Sequence, residues 1–230
     1  MKKLDKQSII FLIIFIGLGL VALRIPFSNI IGSKQNFTLF DYMGPTTGLF
    51  LGPVFGAISI FLVKTFNTLL GGQNLDFISV LRFLPMMLAA IYLGTKTKKN
   101  IIIPLLCVIL FIIHPQGRIA WYYSLYWLIP IFAVFKKNRL IVNALGATFT
   151  AHAVGSIIFL YAFNLPAAVW ISLIPIVAIE RGLFALGIWV SYPAFNTILE
   201  KLDTRFHLPV LKRLTNPDYT YSKRFFQQSA

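Results

Sequence analysis

The chain is poor in the residues on which metal, redox and catalytic sites usually depend. Its 230 residues include one cysteine, three histidines and seven acidic residues. Cys107 has no second cysteine with which to form a disulfide within the chain, and no Cys/His cluster has the spacing of a metal site. We therefore expect neither a bound metal nor another cofactor.

Nucleotide-binding and hydrolase motifs are also missing from the sequence. There is no Gly-x-x-x-x-Gly-Lys-Ser/Thr loop, so the chain lacks the familiar means of holding ATP. Gly-x-Ser-x-Gly and His-Glu-x-x-His are absent as well. These absences favour a protein that is not an enzyme. A catalytic site would require an unseen fold to bring together Asp41, His114, His152 and Glu180.

Charge is scarce, whereas apolar residues are abundant. The chain is 57% hydrophobic, 15% aromatic and 12% charged. Several apolar runs approach the length of about 20 residues that a helix needs to cross a bilayer. The sequence therefore predicts an all-α integral membrane protein. The formal net charge of +14 does not indicate nucleic acid binding, because Lys and Arg gather between the apolar runs and in the tail.

The apolar runs give the order of the predicted spans. They cover residues 9–25, 40–51, 54–70, 77–94, 101–113, 119–135, 140–163 and 165–193. We expect a six-helix core, with the region 101–135 as an additional helical hairpin that raises the count to as many as eight spans. Residues 1–202 would form the polytopic transmembrane domain, and residues 203–230 a basic cytoplasmic tail.

The distribution of basic residues predicts the orientation of these spans. If the amino terminus is cytoplasmic, eight crossings return the carboxyl terminus to the same side. The clusters that then face the cytoplasm are residues 2–6, 96–99, 136–139 and 201–224, which hold 15 of the 21 basic residues. This agrees with the positive-inside rule. We therefore expect a multi-pass protein with both termini in the cytoplasm.

Small residues cluster at two places in the first part of the chain. Gly44, Gly48, Gly52 and Gly56 are four residues apart, so in a helix they share one face and let another helix approach closely. Pro53 follows Gly52 and predicts a tight corner between two helices. Ordinary packing of membrane helices would give a similar pattern. Gly17, Gly19 and Ala22 form either a docking strip or part of a lipid-facing anchor.

The segment Gly48-Leu-Phe-Leu-Gly52-Pro53-Val-Phe-Gly56-Ala57 resembles a known corner. It is similar to the Gly-Pro corner between the second and third helices of the substrate-binding S components of energy-coupling-factor (ECF) transporters. Those proteins are small, very apolar and basic, with both termini and this corner on the cytoplasmic side. The strongest match covers residues 9–72. The predicted extra hairpin departs from their six helices, and the first helix lacks their small-xxx-small docking pattern.

This resemblance implies a function in solute uptake. The chain would capture a vitamin-like or other small solute outside the cell and tilt to release it inward. The implied partners are a transmembrane coupling subunit and a pair of ATPases, together with membrane lipid, in the plasma membrane of a prokaryote. Two alternatives come from other classes: a membrane enzyme that acts on lipid or peptide, and a scaffold whose basic tail binds anionic lipid or an acidic partner.

Candidate solute contacts lie near the predicted outer face. Arg82 is the best anchor for a carboxylate or phosphate, because a guanidinium offers forked donors and stays charged. Pairing with Asp76 is its structural alternative. The other candidates are Asn74, Asp76, Trp121, Tyr122, Tyr123, Tyr126 and His152. Aromatic residues at helix ends also form interfacial belts, and a lone histidine also serves as a hydrogen-bonding residue between helices.

Charged residues within the spans are costly and need a partner or water. We expect Lys64 and Glu180 to form a pair between two helices, which either locks the bundle or contacts the solute. Glu180 and Arg181 are adjacent and point about 100° apart on a helix, so they are not expected to pair by facing each other.

Overall fold

The computed structural model describes residues 6–29, 36–95, 97–136, 139–207 and 209–221. Parts of the predicted basic clusters, residues 2–5, 96, 137 and 222–230, lie outside the described residues. The described chain is mostly helical. Its helices are α1 Lys6–Ala22, α2 Leu39–Met43, α3 Thr47–Leu51, α4 Pro53–Leu70, α5 Phe77–Leu81, α6 Leu84–Gly94, α7 Ile102–Ile113, α8 Pro115–Ile119, α9 Leu128–Ala133, α10 Leu140–Phe163, α11 Ala167–Phe206 and α12 Pro209–Leu214.

Short segments connect these helices. Strands β1 Pro26–Asn29 and β2 Asn36–Thr38 pair antiparallel before α2 and are a small exception to the predicted all-helical fold. The tighter 3₁₀ turns span Gly44–Thr46, Lys98–Ile101, Trp121–Trp127, Val134–Lys136 and Pro217–Tyr219. The region 101–135, predicted as an additional helical hairpin, therefore contains one 12-residue helix, α7, followed by short helical segments.

Four helical segments of the described chain are long and apolar enough to cross a membrane. They are Pro53–Leu70, Phe77–Gly94, Leu140–Phe163 and Ala167–Phe206, and the helix Ile9–Ala22 is apolar but shorter. α11 has 40 residues, which corresponds to about 60 Å. It contains Pro175 and Pro193 and passes through the predicted domain boundary at residue 202 without a break.

The Gly-Pro corner is the point where three helices meet. Gly52 has a φ of 81°, a conformation that favours glycine, and Pro53 begins α4 directly after it. A Cβ on Gly48 would collide with the Ala90 carbonyl of α6, and a Cβ on Gly56 would lie 2.7 Å from the Gly48 Cα. A Cβ on Gly94 would lie 2.6 Å from the Gly48 carbonyl oxygen. We call Gly48, Gly56 and Gly94 the glycine junction.

The other small residues of the first part pack unequally. Gly44 approaches the Met86 sulfur, where a Cβ would lie 2.9 Å away, and Gly19 approaches Phe40 equally closely. Ala22 is buried in the core around α1 and α4. Gly17 alone of the predicted strip faces open space. Gly19 and Ala22 therefore pack within the chain, and the docking role of the strip stays a prediction.

An aromatic cluster and a buried hydrogen bond join further elements to α11. Phe111 of α7 contacts the rings of Tyr123, Trp127 and Trp170, which joins the 102–133 region to α11. At the other end of α11, the fully buried Asn196 accepts a hydrogen bond of 2.7 Å from the Asn216 backbone N–H. The described part of the predicted tail therefore packs against α11.

Replacing Gly48 by alanine should destabilise the protein. The new methyl group would overlap the backbone of α6, which cannot rotate away as a flexible side chain could. We expect a loss of about 1–3 kcal/mol in the free energy of unfolding. Thermal unfolding in detergent would measure the loss.

Gly17→Ala is the matched control, because a methyl group there meets nothing within 4 Å. Alanine is favoured over glycine within a helix by about 0.5–1 kcal/mol, so this variant should be as stable as the parent or more so. Equal melting temperatures for the two variants would contradict the close approach of α3 to α6.

Candidate functional site

A cavity of about 150 Å³ lies among α2, α4, α6, α10 and α11. Its wall carries four ionisable side chains, Asp41, Lys64, Arg82 and Arg181. Apolar and small polar residues complete the wall, among them Phe37, Phe184, Met86 and Thr148. We call this space the cationic cavity, because three of its four ionisable residues are basic.

Asp41 is fixed in the wall by the start of α2. The Thr38 backbone N–H and hydroxyl both donate to Asp41 Oδ2, at 2.9 and 2.8 Å. The contact from the backbone N–H is the one that an acidic side chain at this position makes in a helix capping box. The other oxygen, Oδ1, lies 3.8 Å from Lys64 Nζ. Lys64 is half-buried on α4, and its ammonium lies 6.0 Å from the centre of the Phe40 ring. Asp41 is therefore the nearby counter-charge of Lys64.

Arg181 projects from α11 into the wall. Its guanidinium stacks 4.4 Å from the centre of the Phe184 ring and lies 5.8 Å from Phe37. One terminal nitrogen lies 3.4 Å from a Glu180 oxygen. Within the described ranges, Arg181 Nε and the other Glu180 oxygen are buried without a hydrogen-bond partner.

The structure corrects the predicted Lys64–Glu180 pair. Lys64 has Asp41 as its carboxylate, and Glu180 has its neighbour Arg181. Adjacent helix positions do point apart, but these two long side chains bend towards each other beyond their Cβ atoms. The carboxylate that pairs with Lys64 comes from the first turn of α2, whose position beside α4 depends on tertiary packing.

Arg82 forms the exposed part of the wall. It follows α5 directly, and its guanidinium lies 5.5 Å from the Phe159 ring and 5.9 Å from the Phe163 ring at the end of α10. Within the described ranges it has no ion pair, so the alternative pairing with Asp76 does not form. Of the predicted solute contacts, Arg82 is the one that lines the cationic cavity.

Asn74 and Asp76 lie in the exposed turn before α5 and do not line the cavity. Asp76 caps α5 by accepting a hydrogen bond of 2.7 Å from the Ser79 backbone N–H. Hydrogen bonds from the Ser79 side chain and backbone hold the pKa of Asp76 below its usual value. Asp76 therefore has a local structural role at the start of the helix.

His152 belongs to a separate buried network. Its Nδ1 accepts a hydrogen bond of 3.1 Å from the Trp127 indole N–H, and its Nε2 lies 2.8 Å from the Tyr123 hydroxyl. Because the indole can only donate, a neutral His152 carries its proton on Nε2 and donates it to Tyr123. The Tyr123 hydroxyl also lies 3.4 Å from Ser156 Oγ. Both ring nitrogens of His152 are thus already engaged.

The remaining predicted aromatic contacts also lie away from the cavity wall. Tyr126 donates a hydrogen bond of 2.9 Å to the Ile174 carbonyl and stacks on Phe149. Trp121 and Tyr122 are exposed and contact each other edge to face. The predicted set therefore divides between Arg82 at the cavity, a buried aromatic network, and exposed residues.

Sequence reasoning did not assign Asp41, Arg181, Phe184 or Thr148 to a solute site. Arg181 carried a usable signal, since an ionisable residue within a membrane-length apolar run is a functional candidate by default. Asp41 at the start of an apolar run carried a weaker signal. Phe184 and Thr148 are ordinary residues of apolar helices, and only the packing of α10 and α11 brings them to the cavity.

Replacing His152 by leucine should destabilise the protein without affecting solute binding. The change removes the partner of the buried Trp127 N–H and leaves the Tyr123 hydroxyl with only the longer contact to Ser156. We expect a loss of about 2–4 kcal/mol in the free energy of unfolding. Chemical unfolding in detergent would measure it, with the exposed Trp121→Leu as the control. Unchanged stability combined with loss of a bound solute would instead identify His152 as a ligand contact.

Comparisons with known proteins give one relative. No protein-family model and no solved structure matches the chain. A protein of Methanocaldococcus jannaschii, named Uncharacterized protein MJ0923, is 30% identical to it over 204 residues. The alignment covers 78% of this chain and 68% of the archaeal protein. The chain therefore belongs to the same protein family as MJ0923.

Proposed function

We propose that the chain is an integral membrane protein that captures a small solute for an ECF-type importer, as an S component does. The single observation that carries this proposal is the cationic cavity enclosed by helices of membrane length. A cavity of about 150 Å³ is smaller than the range of about 300–1,000 Å³ typical of drug-sized ligands. It therefore suits a small solute or one charged group of a larger one.

We also propose a six-helix core for this function. Its members would be α1, the α2–α3 segment, α4, the α5–α6 segment, α10 and α11, and the 102–133 region would be the addition. The glycine junction joins α3, α4 and α6 at one end of the bundle. Arg82 lies at the opposite end, beside the last turn of α10.

This arrangement supports capture from outside when it is combined with the predicted orientation. With both termini cytoplasmic, the Gly52-Pro53 corner lies inside and the Arg82 end of the cavity lies outside. Arg82 is exposed there, whereas Lys64 and Arg181 are half-buried deeper in the wall. A solute would first meet the exposed Arg82 and then the two more buried cations.

Loss of Arg82 should abolish retention of the solute. Protein extracted from native membranes in neutral detergent would be analysed by mass spectrometry for small molecules that co-purify. We expect the parent protein to retain a small molecule and Arg82→Ala to retain at least about tenfold less, because charge-assisted hydrogen bonds contribute roughly 1.5–3 kcal/mol each.

Arg118→Ala is the matched control for this experiment. It removes the same charge from an exposed residue of the same predicted side that does not line the cavity. Retention should equal that of the parent protein. Equal losses for both variants would reflect a general loss of positive charge and would contradict the proposed site.

A nucleotide-hydrolysing partner should co-purify with the chain from its native membrane. The chain has no phosphate-binding loop for ATP, so tilting and release would require an external motor. Affinity purification should recover ATPase activity that disappears when the tagged chain is omitted. Recovery of a stable complex without ATPase activity would support the scaffold alternative, and turnover of a lipid or peptide would support the enzyme alternative.

A further inference from the structure

The wall of the cationic cavity carries more positive charge than its neighbouring carboxylates neutralise. Lys64 comes from α4, Arg82 from the junction of α5 and α6, and Arg181 from α11. Their carboxylate neighbours are Asp41 and Glu180. The five groups together have a formal charge of +1. Lys64 and Arg181 each have one carboxylate neighbour, so the unpaired charge is that of the exposed Arg82, and one more negative charge would balance the wall.

The two ion pairs leave hydrogen-bond donors free for a ligand. The 3.8 Å between Lys64 Nζ and Asp41 Oδ1 is longer than a direct hydrogen bond. The 3.4 Å between Arg181 and Glu180 is also long for a charge-assisted contact, which typically measures about 2.7–2.9 Å. Both cations therefore keep donors that their own carboxylates do not fully use.

Arg181 is the most specific of these donors. The guanidinium stacks on Phe184 at 4.4 Å, and Phe37 lies 5.8 Å away, so the rings contact its face and the donors along its edge point elsewhere. Its Nε is buried and has no hydrogen-bond partner among the described residues. A buried polar atom of this kind calls for an acceptor, and a bound ligand can supply one.

Asp41 cannot supply that acceptor. One of its oxygens is engaged by the Thr38 backbone N–H and hydroxyl, and the other faces Lys64. The capping contacts hold the carboxylate at the start of α2. Among the described residues, the other unused acceptor beside Arg181 is Oε1 of its ion-pair neighbour Glu180, which is a carboxylate that already pairs with Arg181 through its second oxygen. An oxyanion from outside the chain would supply the acceptor that Asp41 does not.

We propose that the cationic cavity binds an oxyanion, a carboxylate or phosphate group, with Arg181 as its inner anchor and with Arg82 and Lys64 as the other cations. This inference rests on the proposed function, for which it names the chemical class of the solute. The planar guanidinium of Arg181 presents parallel donors to two oxygens of one anion. The volume of about 150 Å³ limits the enclosed part to a small group of atoms.

Direct binding measurements on the purified full chain in neutral detergent test this proposal. The probes are sodium phosphate and sodium acetate, with sodium chloride at equal ionic strength as the reference. Titration calorimetry should show saturable binding of phosphate, acetate or both beyond the chloride reference. Dihexanoyl-phosphatidylglycerol serves as the lipid arm. Binding of this lipid without binding of either free anion would assign the cavity to a lipid headgroup and overturn the solute assignment.

Arg181→Gln tests the inner anchor. Glutamine keeps polar atoms and most of the aliphatic part of the side chain but lacks the positive charge and the paired guanidinium donors. The Kd of the bound anion should therefore rise at least about tenfold. Arg118→Gln is the matched control and should leave the Kd unchanged, because Arg118 is exposed and does not line the cavity. Equal Kd values for the parent protein and Arg181→Gln would overturn the proposal.

Glu180→Gln separates a binding role of Arg181 from a purely structural one. It removes the carboxylate that competes for the guanidinium, so the Kd of the anion should fall several-fold. If Arg181 only held the bundle together, this variant would lower stability without tightening binding, and that result would overturn the proposal even where Arg181→Gln does not fold.

The outcomes of this proposal and of the transport function are distinguishable. Retention of an uncharged solute together with recovery of an ATPase would refute the oxyanion site and leave the transport function standing. Tight phosphate or acetate binding without an ATPase partner would support the oxyanion site and count against the importer.

Discussion

Backbone contact at the glycine junction is the constraint on which the rest of the structure depends. Gly48, Gly56 and Gly94 let α3, α4 and α6 meet without intervening side chains. From this end, α4 leads to Lys64, and the α5–α6 segment leads back to Arg82. The separation of these two cations is thus set by helices that are fixed against each other at the opposite end of the bundle.

The cationic cavity follows from charges placed among apolar helices. Burying a charge is costly, and the two carboxylates of the site offset only part of that cost. Aromatic rings contribute as well, since Arg82 lies beside Phe159 and Arg181 lies against Phe184. These ring contacts position the two guanidinium groups without adding negative charge, as the proposed binding role requires.

Local signals in the sequence predicted a large part of the helical framework. The apolar runs 140–163 and 77–94 coincide with α10 and with the α5–α6 segment. The run 54–70 is α4 without its first residue. Gly52-Pro53 indicated the corner because both residues act on the backbone at their own position. Continuous apolar runs bounded by turn residues are therefore sufficient to predict where these helices begin and end.

Other elements depend on packing that the sequence does not display. The run 119–135 is as apolar as a spanning helix, yet it contains the 3₁₀ segment Trp121–Trp127. Tyr123, Tyr126 and Trp127 of this segment pack with residues of α7 and α10. α11 continues beyond Pro193 to Phe206. The site was predicted least well, because the partner of Lys64 comes from the placement of α2 beside α4, and the packing of α11 brings Arg181 to the same cavity.

The length of α11 has a mechanical consequence. Arg181 in the cavity wall and Asn196 at the tail lie on the same continuous helix, about 22 Å apart along its axis. The Asn196 side chain accepts a hydrogen bond from the Asn216 backbone N–H, and the Tyr219 ring packs against Tyr192, which lies one turn before Asn196 on α11. Any axial rotation of this helix at the cation must either break those tail contacts or carry the tail with it. The position of the described tail is therefore coupled to the rotation of α11, and so to the orientation of Arg181 in the cavity wall.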